Sequence, residues 1–275
     1  MARAETGPDD GPRDGVVLRT DALSKSFGGI QAVDTLDFSI GQGEIVAIIG
    51  PNGSGKTTFF NLIMHLYDAS EGAIYFGSPG VNLLDHPTHR INAMGIARTF
   101  QTLRLFPKLT VLENVLVGMS ARLRAGFFGA LFSPPHVRRE ERESEEKALE
   151  VLSFFGHRLL SMCNEPAMAL SYANRRRLEI ARAIASEPRL LLLDEPVAGM
   201  NPTETREVIQ DIERLNRQGY TVLLIEHDMT LVEGAAQRVV AFDHGSKIAE
   251  GSFKEVSGDP DVIEAYLGRG ARQGQ

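Results

Sequence analysis

Residues 43–58 read Gly43-Glu44-Ile45-Val46-Ala47-Ile48-Ile49-Gly50-Pro51-Asn52-Gly53-Ser54-Gly55-Lys56-Thr57-Thr58. The apolar run Ile45–Ile49 is unbroken, so it predicts a strand buried on both faces of a parallel sheet rather than a half-exposed one. Gly50–Thr57 then satisfies Gly-x-x-x-x-Gly-Lys-Ser/Thr between that strand and a helix-compatible stretch, Thr57–Leu66. Glycines at these places let backbone amides curl around a phosphate chain, and the following helix aims its positive end at the same point. Lys56 is placed to reach the outer phosphates, and Thr57 to offer a hydroxyl to Mg²⁺. A glycine-rich turn that binds nothing is the plainer reading. The complete eight-position match between strand and helix outweighs it.

Working outward, Leu190–Leu193 is a second fully apolar run, and it delivers Asp194 and Glu195 to the C-terminal edge of a sheet, where α/β folds bind ligands. Asp194 is the expected second Mg²⁺ ligand, and Glu195 the general base that polarises an attacking water. Tyr220–Ile225 is a third such strand. Between the last two, Thr203–Arg217 carries Val208, Ile212 and Leu215 at helical spacing, and Gly219 is a natural helix stop. Strands alternating with helices predict an α/β fold with a parallel sheet and crossover connections. Upstream, Val16–Ile49 reads as short strands in bursts, with another at Ala73–Phe76. From Val111 to Glu165 the spacing is mostly helical, broken at Phe127–Pro135 by a loop or insertion. The run Arg138–Lys147 holds four basic and five acidic residues, which fits a solvated helix face.

Composition sets the bounds. The 275 residues are 43% hydrophobic and 24% charged, as in a folded globular chain with room for a large core. The 29 basic and 36 acidic residues give a net charge of −7, which argues against nucleic acid as a partner. Arg175–Arg177 do not change that expectation. One cysteine, Cys163, excludes an internal disulfide and a thiolate metal cluster and fits a reducing compartment. No apolar run approaches the roughly 18 residues of a membrane span. Residues 1–15 read as a loose tail, and no internal repeat is present.

Four further features narrow the field. Leu170-Ser171-Tyr172-Ala173-Asn174, about 20 residues before Asp194, resembles the signature segment of ABC ATPases, commonly LSGGQ. Gln101 resembles their Q-loop glutamine, His227 in Ile225-Glu226-His227-Asp228 their switch histidine, and Phe27 the aromatic that stacks on adenine. These sites stand in family order from about Val16 to the end. The resemblance is closest to the ATP-binding subunits of branched-chain amino-acid importers. Similar features are Arg177–Arg182, Leu193–Pro202, Leu224–Met229, the break Phe127–Pro135, and above all the ending Asp259–Gly268.

The resemblance implies a P-loop NTPase of the ABC type: a RecA-like parallel-sheet core, an N-terminal antiparallel β subdomain and an inserted α-helical subdomain. A single cassette is expected over residues 16–268, the helical subdomain at about 98–172 and a tail at 269–275. It implies ATP and Mg as cofactors, with catalysis by Glu195, His227 and Gln101. ATP would be bound by Phe27, by Gly50, Pro51, Asn52, Gly53, Ser54, Gly55, Lys56, Thr57 and Thr58, by Asp194 and by Ser171. Mg²⁺ would be held by Thr57, Gln101 and Asp194. Implied partners are a second ATPase subunit, two transmembrane permease subunits and, indirectly, an extracytoplasmic solute-binding protein, at the cytoplasmic face of the inner membrane. Leu105 and Phe106, after Gln101, suit either a groove for a permease helix or the chain's own core. An importer of urea, amides or another polar amino acid, and a regulatory or scaffold subunit with weak ATPase, remain open.

The chain departs from the family pattern at Ala173 and Asn174. A Cβ where glycine is usual requires room, and at a positive φ it would add strain on the order of 1 kcal/mol. That corresponds to about tenfold in a rate. Because the signature acts on the partner subunit's nucleotide in this family, the expectation is an impaired partner site and two unequal sites.

Overall fold

A computed structural model describes residues 15–119 and 135–267. Residues 1–14 of the expected tail 1–15, the tail at 269–275, residues 127–134 of the predicted break, and the cap at Gly268 lie outside the described residues. Two strands of twelve residues, β1 (Val16–Phe27) and β2 (Ile30–Gly41), form a hairpin about Gly28-Gly29, whose φ values are +52° and +91°. These strands are longer than the bursts read from the sequence, because register shifts at four places along β1 interrupt the alternation of side chains. With β4 (Glu71–Phe76) and β5 (Val81–Asn82) they make an antiparallel sheet in the order β2-β1-β4-β5.

The second sheet holds β3 (Ile45–Ile49), β6 (Ile96–Arg98), β7 (Leu190–Asp194), β8 (Thr221–Ile225), β9 (Arg238–Asp243) and β10 (Ser246–Gly251), in the order β10-β9-β3-β8-β7-β6. All neighbours are parallel except β9 and β10. Its unbroken apolar runs are explained by what covers each face. Leu191 and Leu193 of β7, with Val222 and Leu224 of β8, join one core cluster. Leu190 and Leu192, with Leu223 and Ile225, join the other. A strand with water on one side would have alternated polar residues.

Helix α1 (Lys56–Ile63) follows the P-loop, slightly shorter than the stretch read from the sequence, and buries Phe59, Phe60, Leu62 and Ile63 between the two sheets. Helix α2 (Thr88–Met94) leads into β6. Helices α3 (Val111–Met119), α4 (Pro135–Phe154), α5 (His157–Leu160) and α6 (Tyr172–Ile184) cover the other face, their buried residues sharing a cluster with β3, β7 and β8. Helix α7 (Pro202–Arg217) starts with a capping box in which Asn201 and Glu204 satisfy each other's backbone amides, and Pro202 occupies its first turn. Helices α8 (Met229–Ala235), α9 (Phe253–Ser257) and α10 (Pro260–Leu267) complete the chain. Among the described residues no helix is long and apolar enough to cross a membrane.

Candidate active site

The P-loop is shaped by contacts that leave no room for a side chain at two of its glycines. A Cβ on Gly50, at φ +145°, would stand 2.2 Å from the carbonyl oxygen of Phe242, and one on Gly55, at φ +104°, would stand 2.2 Å from that of Ala32. The first contact sets the loop against β9 and the second against β2, the strand whose hairpin carries Phe27. Ser54 is buried, and Lys56 folds back so that its ammonium donates to Gly50 O at 2.7 Å, Pro51 O at 2.9 Å and Ser54 Oγ at 3.3 Å. Burial lowers the Lys56 pKa from the ordinary lysine value, while the negative charges of Glu195 and Asp194 oppose that shift. Both carboxylates are therefore near enough for their fields to act on the ammonium.

Asp194 ends β7 with its amide donating to Thr99 Oγ1 at 3.2 Å and its carboxylate taking a hydrogen bond from Arg98 at 2.8 Å. Glu195 is one of the few non-glycine residues at positive φ, +49°, so the strand-to-loop turn throws its side chain off the line of β7. There it accepts a hydrogen bond from Gln101 Nε2 at 3.1 Å, and His227 Nδ1 stands 3.9 Å from its other oxygen. Four segments distant in sequence thus meet: the P-loop, the loop after β6, the end of β7 and the loop after β8. Thr57 is exposed at the mouth of the P-loop and Thr58 is half-buried. Phe27 lies at the hairpin tip, exposed, with its ring edge-on to Tyr67 at 5.3 Å and Lys25 Nζ 4.8 Å above it.

The signature segment lies at the start of α6. Ser171 is the N-cap of that helix, its hydroxyl accepting from Asn174 N at 3.4 Å. Ala173 is helical and buried at 3% exposure, and it is not among the residues at positive φ. The strain expected at Ala173 is therefore absent: the helix starts at Tyr172, before the alanine, and an L side chain is at ease there. Asn174 Oδ1 accepts from Arg177 at 3.2 Å. Arg176 and Arg177 are both internal. Arg176 donates to the carbonyls of Phe100, at 2.7 Å, and of Gln101, while Arg177 pairs with Asp211 at 3.0 Å and Glu207 at 2.9 Å. The arginine run thus ties the signature helix to the Gln101 loop and to α7. After Gln101, Leu105 packs against the core and Phe106 stays exposed.

The residue pattern and this geometry can be set beside known proteins. Residues 33–198 match the profile of the ABC transporter family. The chain belongs to that family. This ABC cassette also matches, over residues 246–272, the profile of branched-chain amino acid ATP-binding cassette transporters. It is 42% identical to the high-affinity branched-chain amino acid transport ATP-binding protein LivG of Escherichia coli, over 92% of this chain and 98% of the relative. The crystal structure of an ABC transporter cassette in its ADP conformation is 34% identical and superposes with a TM-score of 0.79, over 92% of this chain and 99% of the other. A dimeric cassette in a post-hydrolysis state with ADP and Pi is 27% identical, with a TM-score of 0.71, over 86% of this chain and 98% of the other. The cassette is an ATP-binding and ATP-hydrolysing enzyme of the branched-chain amino-acid importer type.

Sequence reasoning passed over three polar residues that the structure brings to the site. Arg98 carries no motif of its own and is revealed only by its contact with Asp194. Glu226 is fully buried under His227, accepting the amides of Val197, His227 and Asp228. A charged residue ending an apolar strand was the available signal. Tyr266 lies 216 positions from the P-loop residue it touches, too far for any local pattern to disclose.

Proposed function

We propose that this cassette drives branched-chain amino-acid import with Glu195 as the base that takes a proton from the attacking water. Gln101 and His227 orient that carboxylate, and the P-loop with Lys56 holds the triphosphate. The observation that carries the reading is the convergence on Glu195 of Gln101 and His227 from two separate loops. Phe27 is the platform for the adenine ring. Ser171, exposed as the N-cap of a helix whose dipole favours an anion at that end, faces the nucleotide of a second subunit.

The residues present fit Mg²⁺. Arg98 bonds one carboxylate oxygen of Asp194, Oδ2, and the other remains for a cation. Thr57 and Gln101 add neutral oxygens, the hard donors that Mg²⁺ prefers. Among the described residues no cluster of three or more His, Cys, Asp or Glu forms a metal cage, as suits an ion that takes its other ligands from phosphate and water. When bound, Mg²⁺ neutralises charge building on the β- and γ-phosphates.

In this reading the cassette pairs with a second, different ATPase subunit and docks on two permease subunits at the cytoplasmic face of the membrane. An extracytoplasmic binding protein supplies the solute. The described residues within about 98–172 belong to the helical arm whose movement the permeases follow, with exposed Phe106 on it. The test is reconstitution of this chain with its cognate second ATPase and permeases in liposomes, with the binding protein supplied on the solute side. ATP-dependent uptake of leucine, lost on Glu195→Gln, is expected. Uptake of urea or an amide in place of leucine overturns the solute assignment, and undiminished uptake by the Glu195→Gln assembly overturns the role of Glu195.

A further inference from the structure

The C-terminal segment is the part of the sequence that sets this branch apart, and the catalytic reading leaves it without a task. The structure gives it one point of contact with the site. Helix α10 is seated by Val262, buried in the main core, and its last turn brings the Tyr266 hydroxyl to accept the Gly50 amide at 2.8 Å. Gly50 opens the P-loop. Its carbonyl is held by Lys56 at 2.7 Å, and the contact with Phe242 O bars any side chain there. The loop's first residue is therefore gripped on both sides, from within by the lysine and from outside by the phenol. Burial raises the Tyr266 pKa above the ordinary tyrosine value, opposed by the Gly50 hydrogen bond.

We propose that Tyr266 is a positioning residue for the phosphate-binding loop: it fixes the entry geometry at Gly50 and makes helix α10 sense whether the loop is occupied. The proposal rests on reading Gly50–Thr57 as the triphosphate cradle. The Gly50 amide is held at a φ of +145°, and the phenol is the side chain that meets it there. A neutral hydrogen bond of this kind is worth about three- to tenfold in an equilibrium that depends on it.

The experiment measures binding of ATP and of inorganic tripolyphosphate to the purified full chain and to Tyr266→Phe, Lys56→Ala and Phe27→Ala. Tyr266→Phe should weaken both ligands by about three- to tenfold, because it acts on the phosphate end. Phe27→Ala should weaken ATP alone. A merely structural role would lower the melting temperature without this shared loss, so melting is recorded alongside. If Lys56→Ala binds both ligands normally, the cradle reading itself fails. If Lys56→Ala loses binding and Tyr266→Phe binds like the parent, the role of Tyr266 alone is overturned. Hydrogen exchange on the unsubstituted chain needs no variant: ATP should slow exchange in residues 261–267 together with 50–58. Protection confined to 50–58 overturns the sensing half of the proposal.

Discussion

Arg98 and Asp194 form a buried ion pair, 2.8 Å between Nη2 and Oδ2 with both side chains 3% exposed. The other terminal nitrogen of the same guanidinium donates to Asn61 Oδ1 of α1 at 2.6 Å, and the rings of Phe60 and Phe100 stand 5.3 and 5.1 Å from its centre. One arginine therefore joins the end of β6, the end of β7 and the helix that follows the P-loop. Three residues later comes Gln101, so the loop that meets Glu195 starts from an anchored point.

Removing one member of such a pair leaves a buried charge uncompensated, at a cost of about 3–5 kcal/mol. Arg98→Met should lower unfolding stability by that order in urea. Asp194→Leu removes the other charge, and the double variant should be less destabilised than the sum of the two, because neither charge is then left alone. Strictly additive losses would mean that the pair contributes through packing only.

Glu195→Gln keeps the shape and can still accept from Gln101 Nε2 through its amide oxygen. ATP affinity should stay within about threefold of the parent, whereas phosphate release should fall by about 10²–10⁴, the range for loss of a general base. Equilibrium titration and a phosphate-release assay read the two separately. A drop in affinity as large as the drop in turnover would assign Glu195 to binding.

Ala173→Gly tests whether this signature is impaired. Since Ala173 is helical and buried, glycine releases no strain and instead costs about 0.5–1 kcal/mol of helix stability. The melting temperature should fall, and the ATPase of the assembled transporter should not rise. Faster turnover would restore the idea that the alanine hinders the partner's site.

The parts of the fold that were legible in the sequence are those where one local cause dominates. The apolar runs of β3, β7 and β8 announce strands covered on both faces, and the glycine spacing at 50–55 announces the loop. The hairpin of β1 and β2 was less legible, since its bulges disrupt the period that marks a strand. At the site, Lys56, Asp194 and Glu195 belong to contiguous motifs. Gln101 and His227 needed the company of those motifs, and Arg98, Glu226 and Tyr266 are defined by contacts across the fold, which no local pattern encodes. Ala173 shows the converse: a departure from a motif reads as strain until the backbone places it inside a helix.

Glu226 offers a test by pH. Its carboxyl has no exposure, and burial raises its pKa above the ordinary value of 4.5, against the pull of amides from Asp228, His227 and Val197 and of the nearby His227 ring. A carboxyl with a raised folded pKa binds its proton more tightly when folded. Its contribution to stability is thus most favourable below about pH 4.5 and is lost as the pH rises through the folded value. Glu226→Gln has no proton to lose, so relative to the parent it should gain stability as the pH rises through that window. Repeating the comparison with His227→Ala in both chains removes the imidazole, whose Nδ1 is 3.8 Å from Glu226 Oε2. Parallel melting curves across the window would show that the three amide donors offset burial completely. A relative loss of stability for the glutamine would show that they exceed it, and that the carboxylate is held ionised as the platform under His227.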